Sequence, residues 1–101
     1  MNRVVVTGIG IVSSLGNNQQ EVKESLYHTK SGISFDEDQK KMGFRSCVSG
    51  QIKIDLENSI ERKFLRFMGD GASYNYLSML EAIKDSNLGE DEISNNKTGL
   101  I

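Results

Sequence analysis

A chain of 101 residues with a formal net charge of −2, 37% hydrophobic and 26% charged residues, fits one small domain or part of a larger one. Its charge balance offers no pull toward nucleic acid or an anionic membrane, and its single cysteine excludes an internal disulfide and a thiolate metal cage. No apolar run approaches the ~20 residues that span a bilayer, and the N-terminus lacks the pattern of a signal peptide, so the expected compartment is the cytoplasm.

Val4, Val5 and Val6 open a run that stays apolar to Val12, apart from Thr7 and two glycines. Its length and β-branched content predict a strand covered on both faces over residues 3–12, then a glycine-punctuated bend. Asn18 can cap a helix, with Glu21 at the third helical position completing a capping box. Val22 and Leu26, four apart, give that helix its buried face, and Gly32 suits a left-handed stop after it. Residues 34–58 read as a solvated excursion, where Asp36-Glu37-Asp38 meets Lys40-Lys41. Val48, Ile52 and Ile54 then give the weak alternation of an exposed strand or hairpin, broken at Gly50.

A stronger signal begins at Ile60. On a helical wheel of ~100° per residue, with Arg62 at zero, Arg66 falls at ~40° and Lys63 at ~100°. Phe67, Phe64 and Met68 fall at ~140°, ~200° and ~240° on the same wheel. The expectation is a cationic arc with Phe64 and Phe67 beneath it. Asp70 is placed to cap a second helix, whose stripe runs through Ala72, Tyr76, Met79, Leu80 and Ile83 and which ends at Asn87 and Gly89. Thr98-Gly99-Leu100-Ile101 reads as the start of another strand.

Few residues offer chemistry. Gly8-Ile9-Gly10 after a strand suggests dinucleotide binding, but Ser13 stands where the fingerprint needs its third glycine, and Asp36, at the distance of a ribose partner, lies in a charged loop. The plainer reading is that both glycines let the backbone pass close to a neighbouring element. Cys47 would need a base to act as a nucleophile, and the sole histidine, His28, sits at the end of the first helix. Both read as structural or surface residues. Arg62, Lys63 and Arg66 are the one feature with a functional edge: a solvated basic face, partly neutralised by Glu61, or a dock for an acidic helix or phosphate.

Positions 6–22, Val-Thr-Gly-Ile-Gly-Ile-Val-Ser-Ser-Leu-Gly-Asn-Asn-Gln-Gln-Glu-Val, closely resemble the N-terminus of the β-ketoacyl-acyl carrier protein synthases, type I above all. The likeness continues in order through Lys30-Ser31-Gly32-Ile33, Arg45-Ser46, Ile60-Glu61-Arg62-Lys63, Arg66-Phe67-Met68-Gly69-Asp70, Ser78-Met79, Glu81-Ala82-Ile83 and Thr98-Gly99-Leu100-Ile101. It is loosest over residues 34–59. Ser13-Ser14 and Asn17-Asn18-Gln19-Gln20 favour type I over type II, which usually carries proline near position 14.

The resemblance implies an α/β fold, the thiolase-like α-β-α-β-α layered architecture, of which residues 1–101 are a partial N-terminal half with no complete domain boundary. It implies decarboxylative Claisen condensation in fatty acid elongation, by a homodimer without cofactor or metal, acting on acyl and malonyl thioesters of acyl carrier protein. In that family a cysteine at a helix N-terminus takes the acyl chain, and two histidines and a lysine serve decarboxylation and oxyanion stabilisation. Cys47 does not match the nucleophile and His28 matches neither histidine, so no catalytic residue carries over. Arg62, Lys63 and Arg66 do match the basic patch that type I synthases present to the acidic helix of acyl carrier protein. The expected whole is an N-terminal fragment, inactive alone and marginal or aggregation-prone, because an open apolar strand edge recruits other chains. A non-catalytic carrier-protein docking module and a nucleotide-binding half-domain are the alternatives.

Overall fold

The computed structural model describes residues 2–101. In chain order its elements are α1 (Gln19–Tyr27), β1 (Ile33–Phe35), α2 (Glu37–Lys41), β2 (Val48–Gly50), α3 (Leu56–Ser59), α4 (Arg62–Leu65), α5 (Asp70–Ser86) and α6 (Glu90–Ile93).

The helix starts follow local side-chain chemistry. Asn18 caps α1 by accepting the Glu21 N–H at 3.0 Å. The Glu21 carboxylate turns back as a capping box requires, but it takes the Asn17 N–H at 2.8 Å, one residue before the cap. Asp36 caps α2 by accepting the N–H groups of Asp38 and Gln39, both at 3.1 Å, and the Ser49 hydroxyl donates to its other oxygen at 2.9 Å. The Gln39 N–H and then the Ser49 hydroxyl hold the Asp36 carboxyl below the usual carboxylate range. Asp36 is therefore a cap, not a ribose partner. α5 starts one residue earlier than expected, with Gly69 as cap and Asp70 in the first turn, where a carboxylate suits the helix dipole. It ends as expected at Asn87, which adopts the left-handed conformation with φ of 56°.

The excursion is a hairpin. β1 pairs antiparallel with β2 in the register Ile33↔Gly50, Ser34↔Ser49 and Phe35↔Val48, and the Asp36 N–H extends the ladder to the Cys47 carbonyl at 2.8 Å. Ile52 and Ile54 lie half-buried beyond the paired residues.

Three expectations change here. Gly32 does not stop α1: Thr29 takes the left-handed conformation, with φ of 51°, and Gly32 instead lies where a Cβ would collide with Ser14. Val22 is buried but Leu26 is exposed, because the inner face of α1 turns through Ser25, whose hydroxyl donates to the Leu15 carbonyl at 2.7 Å. The stripe on α5 is only partly covered: Tyr76, Met79 and Ile83 are half-buried, Ala72 and Leu80 are exposed, and Ser73 is the fully buried position.

The largest correction concerns residues 3–12, and with them 98–101. Neither stretch forms a strand, because neither finds a ladder partner among the described residues. Val4, Val5 and Val6 stand in solvent. Residues 8–11 instead lie antiparallel along α5. The Ile9 N–H donates to Asp85 at 3.0 Å and the Ile11 N–H to Glu81 at 2.9 Å, while the other Glu81 oxygen takes the Gln19 N–H at 2.8 Å. The spacing explains the fit: two residues of extended chain advance ~6.6 Å and four residues of helix ~6 Å, so donors at i and i+2 meet carboxylates at i and i+4.

Gly8 and Gly10 make this approach possible. A Cβ on Gly10 would overlap the Ser78 carbonyl, and one on Gly8 the backbone at Ala82 and Ser86. The plain reading of the glycine pair therefore holds, and the α5 backbone fills the space a pyrophosphate would need. Among the described residues the buried apolar side chains are Val22 and Ile60, and the radius of gyration of 17.0 Å exceeds the ~13 Å of a compact chain this long.

Candidate functional site

The basic trio is positioned by a short, tightly wound stretch. Asp55 caps α3 by accepting the Asn58 N–H at 3.2 Å, and Ile60, 4% exposed, anchors the chain before α4. Arg62 and Lys63 open α4, and Arg66 caps its end, with the Arg66 N–H on the Arg62 carbonyl at 3.3 Å. The turn then tightens: the N–H groups of Phe67 and Met68 reach back three residues, to the carbonyls of Phe64 and Leu65, both at 3.0 Å.

That tightening corrects the expected arrangement. At three residues per turn, side chains at i and i+3 eclipse. Leu65 and Met68 therefore become the half-buried pair, while Phe64 and Phe67 turn outward, 42% and 78% exposed. The phenyl rings do lie under two of the cations, as expected, but at the surface and not in a buried layer. The Lys63 ammonium is 4.7 Å from the centre of the Phe64 ring, and the Arg66 guanidinium carbon is 4.6 Å from that of Phe67. Phe64 also leans on Tyr76, with ring centres 6.5 Å apart.

Arg62, Lys63 and Arg66 are all exposed, and Arg62 and Arg66 face the same groove. Lys63 pairs with Glu61 at 2.7 Å, both largely in solvent, so the pair adds little stability and leaves the lysine free to exchange partners. Arg62 and Arg66 line an open groove of about 440 Å³ with Leu65, Asn58 and Glu57. This arrangement holds no acid–base pair aimed at a reacting atom. It can bind an anionic surface.

The other candidates separate from it. The Cys47 thiol donates to the Phe44 carbonyl at 3.4 Å within the hairpin loop, and His28 caps the C-terminus of α1, its ring edge-on to Tyr27 at 5.4 Å. What sequence reasoning missed was the outward turn of Phe67 and the role of Glu81 and Asp85. The small residues Ser78, Ala82 and Ser86, spaced four apart opposite Gly8 and Gly10, are the signal that could have located the two carboxylates.

Comparison with known proteins places the chain. It is 52% identical over 101 residues to the 3-oxoacyl-[acyl-carrier-protein] synthase 1 of Haemophilus influenzae, covering 100% of this chain and 25% of that protein. The synthase 1 of Escherichia coli K12 is 50% identical over 102 residues, with the same coverage of each. The 3-oxoacyl-[acyl-carrier-protein] synthase 2 of Vibrio cholerae is 32% identical over 91 residues, covering 89% of this chain and 22% of that protein. The expected leaning toward type I agrees with that difference. The chain spans about a quarter of the length of these relatives. Residues 1–101 all match the family described as the β-ketoacyl synthase N-terminal domain, and the chain belongs to that family.

Proposed function

We propose that these residues form the first part of a type I β-ketoacyl-acyl carrier protein synthase and that Arg62, Lys63 and Arg66 dock its acyl carrier protein. The observation that carries this reading is identity of 50–52% along the whole chain to proteins named 3-oxoacyl-[acyl-carrier-protein] synthase 1. The proposal includes the thiolase-like layered fold, with residues 1–101 as part of its N-terminal half, together with a homodimeric whole acting in the cytoplasm.

The reaction is a decarboxylative Claisen condensation. An acyl group moves from its carrier to an enzyme thiol, as one thioester forms and the other breaks. Malonyl carrier then loses carbon dioxide, and the electron pair of the broken C–C bond attacks the acyl carbonyl. The enzyme thiolate leaves, and a 3-oxoacyl carrier two carbons longer results. No residue of this chain is assigned a step in that chemistry; its part is to receive the carrier.

The geometry supports that part. Three exposed cations fall within five residues, two of them facing one groove, and such charges act mainly on encounter rate and orientation. Titration calorimetry of holo-acyl carrier protein into the chain is expected to show saturable binding that weakens as salt rises. Arg66→Glu is expected to weaken it about tenfold or more, since reversal replaces attraction by repulsion. Equal binding by the variant, or no saturable binding by an unsubstituted chain that is monomeric and helical in the same buffer, would contradict the docking role.

A further inference from the structure

Residues 31–53 hold together as a unit. The β1–β2 ladder closes them, and Asp36, the cap of α2, takes the Ser49 hydroxyl at 2.9 Å. Among the described residues one hydrogen bond joins this unit to the rest of the chain, from the Asn17 Nδ2 to the Lys53 carbonyl at 2.7 Å. Where the unit meets the N-terminal turn, both sides of the hairpin stem lack a side chain. Ser14 is seated in that notch: a Cβ on Gly32 would stand 2.5 Å from its hydroxyl oxygen, and one on Gly50 3.1 Å. Beside it lies an open polar cleft of about 260 Å³, with Ser13 and Asn17 on one wall and Ser31, Ser34 and Gln51 on the other.

The chain enters the unit through Thr29, which is held left-handed with φ of 51°. For a β-branched residue that conformation is costly and persists only where the surrounding contacts impose it. Seating the unit and straining its entry are therefore linked.

We infer that residues 31–53 are a hinged strap that swings as one body about Thr29–Lys30 at its entry and Ile54 at its exit, with Ser14 as the latch that holds it down. A cleft lacks interlocked side chains, so parting its two walls disrupts no packed core. The ladder and the Asp36 cap travel with the strap, so opening leaves their bonds intact. Ser14 works by size: the notch left by two glycines admits a hydroxymethyl group, and filling the notch from the other side expels it. The left-handed Thr29 biases the strap toward opening, because the swing relieves it.

Hydrogen exchange followed by nuclear magnetic resonance tests this on the chain itself. The Asn17 side-chain amide reports the seating, since its acceptor lies on the strap, and the Asp36 backbone amide, bonded to the Cys47 carbonyl at 2.8 Å, reports the ladder. Gly50→Val puts methyl groups where the Ser14 side chain sits and is expected to accelerate Asn17 exchange about tenfold while leaving Asp36 unchanged. Adding Ser14→Gly to Gly50→Val should recover most of that change, because the two act on one space. Thr29→Asn, which tolerates the left-handed conformation, should slow Asn17 exchange about threefold. Equal acceleration at Asp36 in Gly50→Val would show a fraying hairpin and overturn the rigid strap. Unchanged Asn17 exchange in Gly50→Val, or no recovery on adding Ser14→Gly, would overturn the latch. Faster or unchanged exchange in Thr29→Asn would overturn the hinge. Loss of far-UV helicity in Gly50→Val also overturns the inference, because the notch lies outside every helix.

Discussion

Glu81→Ala is expected to detach the extended N-terminal segment from α5 and to loosen the start of α1 in one step. The two oxygens of Glu81 serve different neighbours, the Ile11 N–H at 2.9 Å and the Gln19 N–H at 2.8 Å. Gln19 is the first residue of α1, so this carboxylate ties segment, helix start and α5 together. Hydrogen bonds to an ionised group contribute about 1.5–3 kcal/mol each, and water recovers part of that at half-buried donors, leaving a loss of about 3 kcal/mol. With ~1.4 kcal/mol per tenfold, amide exchange at Ile11 and Gln19 should accelerate roughly a hundredfold. The Ile9 N–H, held by Asp85, should change less. The Ile60 amide, bonded to the Leu56 carbonyl at 3.0 Å at the end of α3, is the internal reference. Equal acceleration at Ile60 would mean that Glu81 supports the fold in general and does not fasten this segment.

Gly10→Ala should have an effect of similar size by a different route. The added methyl would overlap the Ser78 carbonyl and crowd the Ala82 nitrogen, atoms fixed inside a 17-residue helix. A flexible side chain could swing aside, but helix backbone cannot, so the segment must lift away. The expected cost is about 3 kcal/mol, at the upper end of ordinary overpacking. Lifting the segment also breaks the Glu81 and Asp85 bonds, so the double variant with Glu81→Ala should lose much less than the sum of the two. Gly71, in the first turn of α5, has open space where a methyl would stand, with no neighbouring atom within 4 Å, and Gly71→Ala should be neutral or mildly stabilising. Denaturant melts of the three variants followed by helicity would separate these outcomes. Equal destabilisation by Gly10→Ala and Gly71→Ala would contradict the close-approach role of Gly10.

What could be read from sequence divides along a physical line. Asn18 and Asn87 act on backbone within three residues of themselves, and their cap and stop are where the residue types suggest, whereas Asp36 caps a short helix in what read as a charged loop. The hairpin at Phe35 and Val48 was visible only as weak alternation, since each strand has three residues and one covered position. Residues 3–12 have strand composition, yet a strand is a relation between chains of residues, and among the described residues none pairs with this one. The carboxylates of Glu81 and Asp85 take up donors that a ladder would otherwise use. The exposure of Arg62, Lys63 and Arg66 was legible because charge declares itself in sequence. The outward turn of Phe67 was not, because a wheel of 3.6 residues per turn does not hold where the chain tightens to three just after α4.

The most direct measurement exchanges residues 1–101 for the matching first quarter of the Escherichia coli synthase 1 and follows condensation by the chimera. Release of carbon dioxide from malonyl carrier protein should match formation of 3-oxoacyl carrier protein mole for mole. In the chimera Arg66→Glu should raise KM for the carrier-borne substrate about tenfold while leaving kcat nearly unchanged, as expected for a residue that receives the carrier and takes no part in the chemistry. A folded chimera that does not condense would contradict the assignment of this segment to a synthase. A chimera that condenses with KM indifferent to Arg66→Glu would contradict the docking site.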